Sequence, residues 1–490
     1  MIKKIIILAV GVMVVGSLMA QTPREEYEAW KKQAQGSYSR YRQQSMDDYQ
    51  AFRKKANEEY AEFVKSAWEA MGRKPAKEPP EEPKPPVAPV APDVKPEPQP
   101  IPHEEVAPHP SPSPVPDVPI PVAPPADNTV KVSYYGTEVA VHVDKGKAIS
   151  LKELNGETLS AAWTELSDGS YDALLADCLN AKKTLGVGDW GYISLVEKVA
   201  KRVAKGENEA IFMQQWLLAQ SGYKARLAMT KKGVLQIYMP FDVLVFNKPY
   251  IEMDEEPYFL ITDNSREDDE IQVLTKGFAE EHLSSLRVAG TPKLTYKACG
   301  RRTLRSKKYP TVTLQSEENS NLIAYYNDYP KVVGSWDVYA NASLSEEVKK
   351  AMYPKLRKML EGKGEREKAE MLLNWVQTAF EYKTDEEQFG GERSLFADES
   401  LYYPYCDCED RSILLSILVR DLMGLDVVLL HFPGHLATAV KFKSNVEGDF
   451  LDLEDGRYIV CDPTYIGAPV GMAMPEYKGG DVEVDVVKIK

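Results

Sequence analysis

The sequence predicts an α+β protein, and three observations predict it. Residues 408–424, CEDRSILLSILVRDLMG, form an apolar helix pattern that ends on glycine and runs into short strand-like stretches. Residues 206–222, GENEAIFMQQWLLAQSG, repeat that arrangement ahead of VLQIYM, DVLVF and PYFLIT. Both folded stretches lie behind an N-terminal region of different composition, so helices and strands alternate irregularly along one long chain.

At 490 residues the chain is too long for one ordinary core. Its 43% hydrophobic and 27% charged residues are globular values. A formal net charge of -14 excludes a nucleic-acid phosphate backbone as the expected partner. Five cysteines in so long a chain do not make a disulfide framework.

Residues 1–20 read as an export signal that is removed: Lys3 and Lys4, then an apolar run from Ile5 to Val15, then Gly16, Ser17 and Ala20. The mature protein is expected in the periplasm, at the cell surface or outside the cell. The alternative is an uncleaved membrane anchor, for which the run is short.

Residues 21–73 are expected to be one amphipathic helix with an eleven-residue repeat. Tyr27, Tyr38, Tyr49, Tyr60 and Met71 recur at that step, followed by Trp30, Tyr41, Phe52 and Phe63. Eleven residues make three helical turns, so these positions share one stripe. The stripe fits a partner helix, a lipid surface, or packing on its own domain. Residues 74–127 hold most of the 34 prolines and are expected to be a semi-rigid polyproline spacer, reaching on the order of 150 Å.

Structure is expected to resume with a hairpin or two strands over Val130–Val143, opening an α+β domain at 128–290. A β-rich connection follows at 291–344, and a second α+β domain at 345–490 begins with a helix capped by Ser345. Helices 206–222 and 408–424 align without a gap. His435 then falls on Gly233, and Asp462 on Thr262 after a small shift. One reading makes 128–290 an earlier, degenerate copy that has lost all three candidate groups. The other is that any helix–Gly–strand unit aligns this well.

The candidate chemistry lies in Tyr402–Asp462. Asp407 and Asp410 are placed to cap a helix whose first turn holds Cys408. The helix dipole favours a thiolate by only about 0.3–1 kcal/mol. Glu409 and Asp410 oppose it, so a histidinium partner is required. His435 follows the Pro433-Gly434 turn, and Asp462 closes the next strand, able to fix the imidazole. Cys408 is thus the candidate nucleophile, His435 the base and Asp462 its orienting partner, with the Cys408 N–H helping to bind an oxyanion. Two other arrangements stay open: a Cys406–Cys461 or Cys406–Cys408 disulfide, and a zinc held by Cys406, Cys408, His435 and Cys461. Phe389, Phe396, Tyr402, Tyr403 and Tyr405 either line a substrate groove, with a loop at Gly390-Gly391, or cover the core.

DCEDRS at 407–412, PGH at 433–435 and CDPTY at 461–465 resemble the transglutaminase-like superfamily over roughly the last 140 residues. The resemblance implies a papain-like fold for the C-terminal domain and a Cys408–His435–Asp462 triad that needs no cofactor or metal. For an exported bacterial member it implies a peptide-bond hydrolase more than a protein cross-linker, acting on a peptide or protein substrate. The competing function is a non-catalytic scaffold or surface-binding protein of the same fold.

Overall fold

The computed structural model describes residues 23–80, 84–93, 97–105, 128–144, 146–262, 270–288, 290–478 and 484–489. The expected export signal at 1–20 lies outside them. Two compact units are present, Met1–Lys55 and Ala56–Lys490.

Helix α1 (Pro23–Ser66) runs from the first unit into the second. Within the first unit Tyr38, Tyr41 and Phe52 of the repeat are 68%, 73% and 56% exposed. Within the second, Tyr60 and Val64 are buried, and Asn57 bonds the Trp163 indole (3.0 Å) and Gln220 (2.8 Å). The helix is shorter than the repeat predicts. It stops at Ser66, and Met71 lies in strand β1 (Trp68–Gly72), which is paired to a sheet. An eleven-residue spacing cannot distinguish a last helical turn from a strand that places an apolar side chain by chance at the next step.

The second unit is mixed α+β, as expected. After β2 (His103–Glu105) comes the hairpin β3 (Asn128–Tyr134) and β4 (Thr137–Val143), turned at Tyr135-Gly136 with both φ values positive. Four helices follow: α2 (Gly156–Leu166), α3 (Asp172–Leu185), α4 (Asp189–Val203) and α5 (Glu207–Gln220). Then come β5 (Arg226–Thr230), β6 (Leu235–Met239), β7 (Tyr250–Met253), β8 (Glu256–Leu260) and β9 (Glu270–Leu274). The apolar DVLVF is not a strand. Asp242 instead accepts from Ser285 Oγ and from the Leu286 N–H, both at 2.8 Å.

The connection at 291–344 is only partly β. Hairpin β10 (Ala298–Arg305) and β11 (Thr313–Asn319) leads into α6 (Ser320–Asn327) and α7 (Asp337–Ala340). Helix α8 (Glu346–Leu360) is capped by Ser345, whose Oγ accepts from Val348 N–H. Next are α9 (Glu365–Ala379), α10 (Asp385–Phe389), α11 (Ala397–Tyr402) and α12 (Cys408–Met423). The chain closes with β12 (Asp426–Phe432), β13 (His435–Lys441), β14 (Phe450–Leu453), β15 (Gly456–Cys461) and β16 (Val484–Lys488).

The two six-stranded sheets share one topology over five of their strands; the sixth is antiparallel to its neighbour in the first sheet and parallel in the second. The first runs β7-β8-β6-β5-β9-β1 and the second β14-β15-β13-β12-β16-β2. In both, five strands that follow a long helix are ordered third, fourth, second, first, fifth, all antiparallel. In both, the sixth strand comes from residues 68–105. Strand β12 is buried on both faces: Val428, Leu430 and Phe432 enter one apolar cluster, Val427 and Leu429 the other.

The proline-rich segment does not stand clear as a spacer where it is described. Lys74 N–H donates to Tyr250 O (2.8 Å) and Asn247 N–H to Lys77 O (3.0 Å) on the first sheet. Further on, Ala91 N–H donates to Ile466 O (2.9 Å), Ile466 N–H donates to Pro89 O (2.8 Å), and Ile101 N–H donates to Phe450 O (2.8 Å). Proline lacks a donor but keeps its carbonyl, so this stretch can lie along a sheet edge while reading as linker.

Candidate functional site

Helix α12 places Cys408 at its first position, where backbone N–H groups have no intrahelical acceptor. Asp407 N–H donates to Asp410 Oδ2 (3.4 Å), the reverse half of the expected cap. The Asp407 carboxylate turns elsewhere, as described below. Pro433 and Gly434 (φ 69°) make a two-residue turn, so His435 opens β13 opposite Phe432. One residue beyond β15, Asp462 precedes Pro463.

His435 Nε2 lies 2.8 Å from Asp462 Oδ2, and both side chains are buried. Asp462 Oδ1 accepts from the Thr464 (2.8 Å) and Tyr465 (3.1 Å) N–H groups, which fixes the carboxylate. Cys408 and His435 line one cleft of about 210 Å³, together with Lys84, Trp336, His431 and Glu392. The hydrogen bond of the Cys408 thiol is to Glu409 Oε2 (3.1 Å), and burial followed by the Glu409 and Asp407 charges pushes its pKa well up. These neighbours favour the thiol over the thiolate. His435 keeps Nδ1 as the ring nitrogen not engaged by Asp462.

Beside the thiol is a cluster of carboxylates. Lys84 Nζ lies 2.7 Å from Glu392 Oε1, 2.9 Å from Asp407 Oδ2 and 4.0 Å from Asp385 Oδ2, and it also contacts Glu409 Oε1. Burial opposes the Lys84 charge, but Glu409 and Asp407 outweigh it and hold the ammonium protonated. One cation cannot serve every acid. Burial would raise Glu409, yet Lys84 holds it below the usual range, while Asp407, Asp385 and Asp410 are pushed well up by burial and mutual repulsion. Burial and Glu409 push Glu392 up to about 7.

Residues invisible to motif reading support the site. Tyr477 stacks on Phe432 (4.1 Å between centroids) and lies parallel to the His435 ring at 5.7 Å. Buried Gln377 donates to the carbonyls of Asp462 (3.0 Å), Tyr465 (2.9 Å) and Ala468 (3.1 Å), holding the turn after the carboxylate. Fully buried Arg411 donates to the Gln377 and Phe380 carbonyls. Tyr382 Oη is buried without a hydrogen-bond partner and has the titratable groups of Cys408, Asp407, Glu409 and Lys84 as neighbours. Arg411 alone lies inside the DCEDRS motif; the others are reached from distant segments.

The remaining alternatives resolve as follows. Cys406, Cys408 and Cys461 are free thiols, so neither disulfide is formed. Cys406, Cys408, His435 and Cys461 do not gather at metal-ligand distance among the described residues; Cys408 groups with Asp407 and Glu409 instead. Phe396 stacks on Tyr326 (4.2 Å) in the core, and Phe389 meets Tyr403 (5.2 Å). None of the five aromatics singled out in the sequence lines the cleft. Gly390 (φ 71°) caps α10.

The strand registers also locate the counterparts in the first half. Thr230–Val234 is the tip pair matching Phe432–His435, because its turn is one residue longer. His435 therefore corresponds to Val234 rather than Gly233. Ile261 N–H donates to Ile237 O as the pairing continues, which puts Thr262 opposite Asp462 as expected. Neither an imidazole nor a carboxylate occupies the two strand positions, which hold Val234 and Thr262, and Cys408 falls on Gly206, the cap of α5, in the ungapped alignment. No family model, curated protein or solved structure matches the chain.

Proposed function

We propose that the protein is an exported, transglutaminase-like cysteine enzyme with a papain-like C-terminal domain, which cleaves or transfers acyl groups at peptide or isopeptide bonds. The observation that carries the reading is the buried His435–Asp462 pair opening on the same cleft as a thiol at a helix N-terminus. In the reaction, His435 Nδ1 takes the Cys408 proton as Sγ attacks the carbonyl carbon. The oxyanion forms against the N–H groups of the first turn of α12. The C–N bond breaks, and the leaving amine takes the proton from His435. Water, or a second amine, then attacks the thioester, giving its proton to the same nitrogen, and Cys408 is released as thiol. Asp462 holds the ring and stabilises the imidazolium.

Residues 128–290 are read as a silent copy of this fold, supported by the common strand order and by Val234 and Thr262 at the two strand positions. The rival reading is a non-catalytic scaffold. It is favoured by the thiol's hydrogen bond to Glu409 and by Lys84, bound to the same Glu409 and lining the cleft beside it. Selective alkylation tests between them. A neutral iodoacetamide should modify Cys408 in a pH-dependent manner, with turnover of a peptide library lost in Cys408→Ala and His435→Ala. Uniform labelling of the accessible thiols, or none at Cys408, decides for the scaffold.

A further inference from the structure

A cysteine nucleophile gains nothing from carboxylates packed beside it, since they disfavour its thiolate. Yet Asp407 and Glu409 flank Cys408 in sequence, Asp385 and Glu392 join them in space, and three of the four are buried. Their common occupant is a primary ammonium supplied from 323 residues away, Lys84. Glu409 bridges the two: one oxygen accepts from the Cys408 thiol at 3.1 Å and the other binds Lys84. The occupant does not use all that is offered, because Asp407 Oδ1 is fully buried and has no hydrogen-bond partner. An ammonium carries three donors and is the cation such a ring of acceptors fits.

Resting on the cysteine-enzyme reading, we propose that Asp385, Glu392, Asp407 and Glu409 form a specificity subsite for a primary ammonium on the acyl-donor side of the substrate, which Lys84 fills as an internal competitor. The substrate class is then a peptide with a free amine, either an N-terminus or a short amino side chain, within a few bonds of the carbonyl attacked. The same cage argues against the amine being the acyl acceptor. Carboxylates stabilise the charged ammonium, whereas an attacking amine must be neutral. Lys84 enters from the proline-rich segment beside Pro80, which also lines the cleft, so substrate entry displaces it.

The test uses the full chain and three methanethiosulfonates of matched length, ending in a primary ammonium, a trimethylammonium and a hydroxyl. Rates at Cys408 are divided by rates at half-exposed Cys299, which cancels the general attraction of an acidic protein for cations. In the unaltered protein, with Lys84 in the subsite, the primary ammonium reagent should react no faster at Cys408 than the other two. In Lys84→Gln the primary ammonium reagent should outpace the other two tenfold or more, and adding Glu392→Gln should cut that preference severalfold. Lys84→Met, which keeps the buried stem, should behave as Lys84→Gln. Equal rates for primary and quaternary reagents, or the Cys299 ratio repeated at Cys408, overturns the subsite while leaving the nucleophile standing. A Cys408 inert to all three in every variant removes the enzyme reading, and the subsite with it.

Discussion

Asp462 divides its two oxygens between different tasks: Oδ2 meets His435 Nε2 at 2.8 Å, while Oδ1 accepts two backbone N–H groups of the following turn. In Asp462→Asn, the amide oxygen would keep the backbone bonds and turn its NH₂ toward the ring, disfavouring the tautomer that leaves Nδ1 free to accept. Turnover should fall about 10²- to 10⁴-fold with the melting temperature little changed, a smaller loss than Cys408→Ala. A variant as active as the parent would remove Asp462 from the mechanism.

Gln377 touches no reacting atom but anchors three carbonyls around the Asp462 turn. Gln377→Leu should lower kcat about 10- to 100-fold through misplacement of the carboxylate. KM should stay near the parental value, because the cleft wall is untouched. Partial unfolding would also lower apparent kcat at constant KM, so active sites in Gln377→Leu should be counted by thiol titration: a full complement of reactive Cys408 with low kcat marks a positioning role, and a loss of titratable sites in proportion to kcat marks unfolding.

Stability should fall as pH rises from about 5 to 8. Burial pushes Asp398 and Glu399 each up to about 7, well above the usual carboxylate range. The folded state therefore holds protons that the unfolded chain has already released, so stability declines as pH climbs through that window. Asp398 Oδ2 accepts from Ser345 N–H (3.0 Å), whereas its Oδ1 is buried without a partner. Asp398→Asn should flatten the decline and raise the melting temperature at pH 8. Melts that are flat in the parent across this range would contradict the burial argument.

The last turns of α1 are held by one polar knot. Asn57 bonds both Trp163 and Gln220, and Trp163 packs 4.3 Å from the Tyr60 ring. Asn57→Ala removes the acceptor of the buried Trp163 indole N–H and its two bonds with Gln220, and should cost about 1–3 kcal/mol in denaturant melts. Trp163→Ala removes the packing as well and should cost about 3–5 kcal/mol. Equal and negligible losses would mean that this helix end is not docked in solution.

What the sequence made legible was local. Helix-start Cys408, the Pro433-Gly434 turn before His435 and the strand end before Asp462 are each written in a few adjacent residues, and the Ser345 cap likewise. The common strand order was foreshadowed by two helix–Gly–strand units, although the longer first turn moved one counterpart from Gly233 to Val234. What stayed hidden depends on long-range partners. Lys84 is a charged residue in a proline run until four acids from elsewhere surround it. Trp336, His431 and Tyr477 reach the cleft or the imidazole from separate segments. The proline-rich stretch misled because composition reports missing donors and not the carbonyls that remain.

Strands β1 and β2 have one further implication. Both lie ahead of Asn128, yet each closes the outer side of one of the two sheets. A shortened protein beginning at Asn128 would bare the hydrogen-bonding groups of β9 and β16 at once, presenting two sticky rims to its neighbours in solution. Self-association of that truncated form would reflect a pair of lost selvedges, whatever the integrity of its interior.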